Sequence, residues 1–366
     1  MRDLTRRQAL ILGAVGAGSL VTGAVGLAQT GLPWDQRWDQ PSGPLPSGGG
    51  ADLLQPNVLA SSNGLLEVEL EMGRAELPLG DRTARMLTYN GTVPGPTLRL
   101  RPGDTLRVRL TNDIGEPTNL HVHGLHVSPE GNGDNPFLMI EPGETFDHEF
   151  TLPVDHPTGT FWYHPHHHGY VADQVFAGLY GAIIVDDSPP ADASPEGERL
   201  LIVSDVSLTG EGNVRAASIR DRMMGREGEI VLVNGQVRPR IATTAGRTER
   251  WRVVNTCVSR HLRLDLAGMG ALLLGVDVDR HEPRDPGDLI LAPGNRAELL
   301  VTADTPSEFR TLGYDRGGMG MGMMGGGGPF GNDGGAVVLA TVEASEGGPA
   351  NGSGRTAGTG RADGGG

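Results

Sequence analysis

A pattern of turns and strands occurs twice in this 366-residue chain. Asn90-Gly91-Thr92-Val93-Pro94, then Arg101-Pro102-Gly103-Asp104-Thr105 and an alternating run to Asn112, returns as Asn234-Gly235-Gln236-Val237-Arg238-Pro239, then Thr244-Ala245-Gly246-Arg247-Thr248 and a run to Asn255. A second matched pair follows: Met139-Ile140-Glu141-Pro142-Gly143-Glu144 against Leu291-Ala292-Pro293-Gly294-Asn295. Such self-similarity means two copies of one structural unit. The unit reads as strands. Residues 66–72, 98–101 and 106–110 alternate apolar and charged side chains with the period of two that puts one face on a core and the other in water. Asn-Gly, Pro-Gly and Pro-Gly-Asp steps separate them, and these residues supply the backbone conformations of tight turns. Many short strands between Gly/Pro turns build a sandwich or a barrel. The chain is therefore expected to be all-β: two tandem Greek-key β-sandwiches, at about 52–188 and 196–343, joined through the Pro-rich stretch 186–195.

The length suits two such domains with ample cores. The ends differ in character. Thr5-Arg6-Arg7-Gln8-Ala9-Leu10, a Gly/Ala-rich apolar run to Leu27 and small residues before Gln29 predict a twin-arginine export signal over 1–28, hence a periplasmic, extracellular or cell-surface location. The run is Gly-rich, barely long enough to span a bilayer and lacks a stop-transfer cluster, so no membrane span is expected in the mature chain. Residues 29–51, rich in Pro, Gly and Ser and holding Trp34 and Trp38, predict an extended arm. From 344 to 366 Gly, Ser and Ala predominate; such a sequence cannot bury a core and is expected to be a disordered tail. The net charge is −15. Arg2, Arg6 and Arg7 against Asp3 make the first 28 residues +2, leaving −17 on the rest, a balance that disfavours nucleic acid and anionic membranes as partners. The single cysteine, Cys257, excludes an internal disulfide.

The chemistry lies in Asn119-Leu120-His121-Val122-His123-Gly124 and Phe161-Trp162-Tyr163-His164-Pro165-His166-His167-His168-Gly169. On a strand, residues i and i+2 share a face about 7 Å apart. Leu120 and Val122 then face a core while His121 and His123 project together to the other side. Two such pairs side by side present four imidazoles to one space, and neutral imidazole suits copper, zinc, iron or nickel. A lone His-x-His is often surface decoration, and a histidine run can be low-complexity sequence. Here each pair follows apolar or aromatic strand residues and ends at a glycine, so metal binding is the stronger reading. Asp134, in Gly131-Asn132-Gly133-Asp134-Asn135-Pro136, fits an Asx-turn in a Gly/Asn loop. Met319, Met321, Met323 and Met324 are soft thioethers of the kind that select Cu(I), or incidental members of a Gly-rich loop.

His-x-His-Gly followed by Trp-Tyr-His-Pro-His resembles the first two copper motifs of the multicopper oxidases, the laccase-like enzymes, and the likeness covers nearly all of 52–343. The resemblance implies cupredoxin-like domains and, as cofactor, copper in a trinuclear centre that reduces dioxygen to water. Carried over residue by residue, it implies His121 as a ligand of the type 2 copper and His123, His164 and His166 as ligands of the type 3 pair. His167 and His168 fall outside the ligand pattern and read as supporting or structural. Asp134 resembles the acid that assists proton delivery, at a looser spacing from His123. Met-rich segments also occur in copper-handling members of the family.

Where the first copy carries His121 and His123 after Asn112, the second carries Cys257-Val258-Ser259-Arg260-His261 after Asn255, so the second unit reads as a spacer domain. The family's type 1 site takes a Cys, two His and usually a Met. It lies in a His-Cys-His run, with a His-Pro-x-His-x-His run beside it. Neither run occurs here, and only His261 and His281 lie beyond His168. Cys257, His261 and Met269 do not match that spacing, and Cys257 is expected to be a buried structural thiol. The expected function is that of a copper-binding protein of multicopper-oxidase type holding half of a trinuclear site, with incomplete type 2 and type 3 sites and no type 1 domain, from a truncated or split oxidase. Such a chain is not expected to be self-sufficient as an oxidoreductase; a third cupredoxin domain, on another polypeptide or a neighbouring subunit, would complete it. The alternative is a non-enzymatic, exported copper-binding or storage module.

Overall fold

The computed structural model describes residues 46–186, 197–314 and 335–346. The expected export signal, Trp34 and Trp38 of the arm, the four methionines at 319–324 and the tail beyond 346 lie outside the described residues.

The first half carries β1 (Val58–Ala60), β2 (Leu65–Leu79), β3 (Arg82–Tyr89), β4 (Thr97–Leu100), β5 (Thr105–Asn112), β6 (His121–His123), β7 (Thr145–Thr151), β8 (Gly159–His164) and β9 (Gly181–Val185). They form two sheets, ordered β1-β4-β9-β8-β6 and β3-β2-β5-β7. The second half carries β10 (Gly197–Val206), β11 (Ile230–Val233), β12 (Arg240–Thr244), β13 (Thr248–Asn255), β14 (Leu262–Asp265) and β15 (Leu272–Val276). It continues with β16 (Asp279–Arg284), β17 (Ile290–Leu291), β18 (Arg296–Thr302), β19 (Ser307–Leu312) and β20 (Val337–Ser345). Their sheets run β11-β10-β13-β18-β15-β16 and β12-β20-β19-β14-β17. Short helices α1 (Val171–Phe176) and α2 (Ile219–Met224) interrupt the strands, and the fold is all-β with cupredoxin-like sandwiches.

The alternation seen in sequence sets the faces. On β2, Leu66, Val68, Leu70 and Met72 are buried while Glu67, Glu69 and Glu71 face water. The strand β5 runs parallel beside it, with Leu66 opposite Leu106 and Met72 opposite Asn112. Its outward Arg107 and Arg109 pair across to Glu149 and Asp147 on β7. In the second half β10 and β13 hold the same parallel relation, with Val203 opposite Asn255.

The repeat extends to side-chain hydrogen bonds. Asn90 and Asn234 both take left-handed φ values, 52° and 51°, which asparagine tolerates in turns. Their side-chain oxygens accept from Glu71 N (2.7 Å) and Ile202 N (2.8 Å), and their amides donate to Glu69 O (2.9 Å) and Leu200 O (2.8 Å). Asn112 donates to the carbonyls of Glu116 and Ile140 and accepts from Ile114 N. Asn255 donates to those of Arg260 and Leu291 and accepts from Cys257 N. Gly143 N donates to Asn112 O and Gly294 N to Asn255 O, at 2.7 and 2.8 Å.

The two sandwiches share apolar contacts. Trp162, Val175, Tyr180 and Ala182 cluster with Leu200, Ile202 and Val254. Leu79, Met86 and Phe176 cluster with Val206, Leu208 and Leu232. Residues 50–54 lie along the edge of the second sandwich, where Leu53 N donates to Arg240 O at 2.8 Å and Arg240 N to Ala51 O at 2.7 Å. Arg252, 1% exposed, joins Asp186 of the first sandwich to Glu198 and Glu298 of the second. Among the described residues Val342 is the last buried apolar one, yet β20 continues to Ser345, which pairs with Thr244. Ladder hydrogen bonds come from the backbone and need no apolar side chain to extend a strand.

Candidate metal centre

The register of β6 against β8 brings the histidines together. His121 lies opposite His164, and His123 opposite Trp162. Pro165 has no N–H to donate, so the ladder ends there. The chain then turns His166 toward the His121 ring, the His166 backbone N–H donating to Asn119 Oδ1 at 2.6 Å. Four imidazoles converge. Ring centroids stand 5.1 Å apart for His121–His164 and for His121–His166, and 5.5 Å for His121–His123. His123–His164 and His164–His166 stand at 5.7 and 5.9 Å. Ligand-capable nitrogens of His121, His123 and His164 all lie within 4.8 Å of one another, the one such trio among the described residues. His164 is buried, His121 and His123 are half-buried, and His166 is exposed.

Two of the rings, His121 and His164, are oriented by what their other nitrogen touches. His164 Nδ1 donates to Pro165 O at 2.8 Å, leaving Nε2 as an acceptor 3.4 Å from His123 Nδ1. His121 Nδ1 lies 2.9 and 3.0 Å from the two oxygens of Asp134, so Nε2 keeps its lone pair. Asp134 is itself fixed: a carboxylate oxygen accepts from Val122 N at 3.2 Å, and its N–H donates to Ser128 O at 2.9 Å. Trp162 stacks on both His164 and His123, at 4.0 and 5.0 Å between centroids. Burial, helped by Arg296 and His121, lowers the His123 pKa to about 4. Burial and then the His121 charge hold His164 well below the usual imidazole range. Neutral imidazole is the form that ligates a metal.

The remaining candidates lie elsewhere. His167 stacks on Tyr170 at 5.7 Å, and His168 is exposed. Cys257 is buried with Sγ 3.8 Å from Val203 O, and burial pushes its thiol pKa well up. His261 stacks on Tyr314, and Met269 is buried in the core of the second sandwich. Three contributors were not singled out by sequence: Asn119, Trp162 and Gly294. The first two sit inside the histidine motifs. Gly294 stands in the repeated Pro-Gly turn, which gives no sign of what the turn faces.

Paired Greek-key sandwiches with an imidazole cluster at the edge of one sheet define a cupredoxin-like, metal-binding protein. The chain belongs to the multicopper oxidase family: models of that description match residues 71–190 and 201–312. The multicopper oxidase mco of Staphylococcus aureus is 29% identical over 266 residues, 70% of this chain and 58% of the relative. Laccase-12 of Arabidopsis thaliana is 27% identical over 62% of this chain and 42% of its own length. Among solved structures, the Campylobacter jejuni multicopper oxidase described as a metallo-oxidase is 30% identical with a TM-score of 0.70, covering 82% of this chain and 62% of that one. The chain thus spans less than two thirds of the length of these relatives. Copper is the metal the family carries. The donor set fits it: His123 and His164 are held neutral, and His121 and His164 have one nitrogen tied off so that the other is free. Among the described residues, no helix is long and apolar enough to cross a membrane.

Proposed function

We propose that this chain binds copper through His121, His123, His164 and His166 as one half of the trinuclear centre of a laccase-like oxidase. His121 serves the type 2 position and His123, His164 and His166 the type 3 pair, with the remaining ligands supplied by a further cupredoxin domain. The observation that carries this reading is the pairing of His121 with His164 across β6 and β8, with His123 Nδ1 and His164 Nε2 3.4 Å apart. Bound copper would supply one-electron redox chemistry and a place for dioxygen.

The residues around it orient and protect. Trp162 lies against two of the rings and limits their tilt. Asp134 accepts the His121 Nδ1 proton and so keeps the Nε2 lone pair on the metal side. Its side chain keeps 18% exposure, so the carboxylate stands between His121 and solvent. The test is a copper titration of the chain with competition by a chelator. Wild type should bind, and His123→Ala and His164→Ala should each weaken binding at least about tenfold, the low end of what even a supporting residue costs. Equal affinity in wild type and the double variant would refute the assignment.

A further inference from the structure

The second sandwich reaches the copper cluster. A Cβ placed on Gly294 would stand 2.9 Å from His123 Cε1, 3.4 Å from His123 Nε2 and 3.7 Å from Trp162 Cζ2. Backbone of the turn between β17 and β18 thus lies against the Cε1–Nε2 edge of the His123 ring, whose Nδ1 faces His164. The contact is reciprocal. A Cβ on Gly124, the residue after His123, would stand 2.8 Å from Arg296 Nη2 and 3.1 Å from Phe161 Cδ1. Each sandwich therefore lacks a side chain where the other approaches. Arg296 donates from Nε to Thr160 O at 2.9 Å, just before the aromatic run that leads to His164.

The turn is held firmly. Asn295 Nδ2 donates to Asp277 Oδ2 at 2.7 Å, and Arg296 N to Asp277 Oδ1 at 3.0 Å. Ala292 N donates to Asn295 Oδ1 at 2.9 Å, and Gly294 N to Asn255 O at 2.8 Å. The equivalent turn of the first sandwich is a natural comparison. Gly143 has φ +83° against +87° for Gly294, makes the same bond to its asparagine, and has nothing within 4 Å of the position a Cβ would take. Backbone conformation alone asks for glycine at both sites. Only at Gly294 does close approach to a ligand ring ask for it as well.

We propose that the Pro293-Gly294 turn is the seat of His123, so that docking of the second sandwich fixes the angle at which this ligand meets the metal. Gly294 is a positioning residue, and the second unit is part of the copper site rather than only a spacer. This rests on the copper reading for its consequence, although the seat itself exists in the metal-free chain.

The test compares Gly294→Ala with Gly143→Ala in the full chain. Both meet the same backbone strain, and only the first meets the ring. Two quantities are read: histidine ring nitrogen and carbon resonances of the metal-free chain, with His123 identified through His123→Ala, and copper affinity. Gly294→Ala should move the His123 signals and weaken copper binding tenfold or more, while Gly143→Ala leaves both as in wild type. Unmoved His123 signals with copper affinity within twofold of wild type in Gly294→Ala would overturn the proposal. So would equal weakening by Gly143→Ala. If Gly294→Ala does not fold, Asn295→Ala loosens the turn without adding an atom beside the ring. Its His123 signals should shift and its copper affinity fall at least threefold; unshifted signals overturn the seat. Should wild-type copper binding prove independent of His123 and His164, the copper reading fails, and the metal-free resonances still judge the seat by themselves.

Discussion

At the scale of single residues, His148 is the most exacting group outside the site. It is 2% exposed, between Phe146 and Phe150 at 4.8 and 5.6 Å, with the backbone of Gly133 and Asn132 beside its ring. Burial lowers its pKa to about 4, against the opposing pull of the nearby Gly133 and Asn132 backbone and Asp134. The unfolded value is near 6.5. Above that pH both states are neutral and His148 contributes no pH dependence. Between pH 6.5 and 4 the unfolded chain takes up a proton that the folded chain refuses, so stability falls as pH falls. The full penalty is on the order of 3 kcal/mol. Removing the group by His148→Phe should therefore make the variant gain ~2–3 kcal/mol relative to wild type between pH 7.5 and pH 4, measured by urea unfolding of the metal-free chain. Parallel pH profiles for the two proteins would show that His148 takes no part.

At the scale of elements, Asn112 and Asn255 end equivalent strands, β5 and β13, and tie the same three backbone groups. Both are fully buried. Alanine at either leaves two carbonyls and one N–H unpaired, which should cost about 2–4 kcal/mol, similar at the two sites. Urea unfolding measures it; a loss under about 1 kcal/mol at either position would mean that water or local relaxation replaces those bonds. The legible elements are those with one wet face. On β2 and β5 the alternation read from sequence matches the buried faces. The strand β16 was not legible, because as an edge strand paired only to β15 it buries none of its residues and so shows no period. Nor was α2, whose Ile219 and Met223 are exposed and whose start is marked only by the Ser218–Asp221 capping box.

At the scale of the whole molecule, Arg252 is the charge on which the two sandwiches meet. It donates to Asp186 at 2.9 Å, Glu198 at 2.8 Å, Thr160 at 3.1 Å and Glu298. Glu298 also receives Arg280 at 3.0 Å, and Arg99 adds a contact to Glu198 at 3.0 Å. Asp186 and Glu198 lie on either side of the connecting stretch, so the guanidinium ties both ends of it to β13. Arg252→Met keeps the stem and strands the carboxylates without their buried cation, and should cost about 3–5 kcal/mol. Denaturant unfolding of the whole chain is the measurement. A loss below about 1 kcal/mol would place the adhesion of the sandwiches in the apolar clusters around Trp162 and Met86 instead.

The sequence by itself determined which faces of β2 and β5 are wet, that one unit occurs twice, and which four imidazoles come in pairs. All of these follow from period two, turn chemistry and spacing, which act over a few residues. Only the tertiary structure decided that His164 lies opposite His121, that Asp134 folds back across a loop to hold His121 Nδ1, and that Asn119 draws in His166. Gly143 and Gly294 make the distinction plain. Both follow a proline, take φ near +85° and bond to an equivalent asparagine, so every local signal is the same. One faces open space and the other a ligand ring. What stands before a missing Cβ is set by how one sandwich packs on the other, and no local pattern carries that.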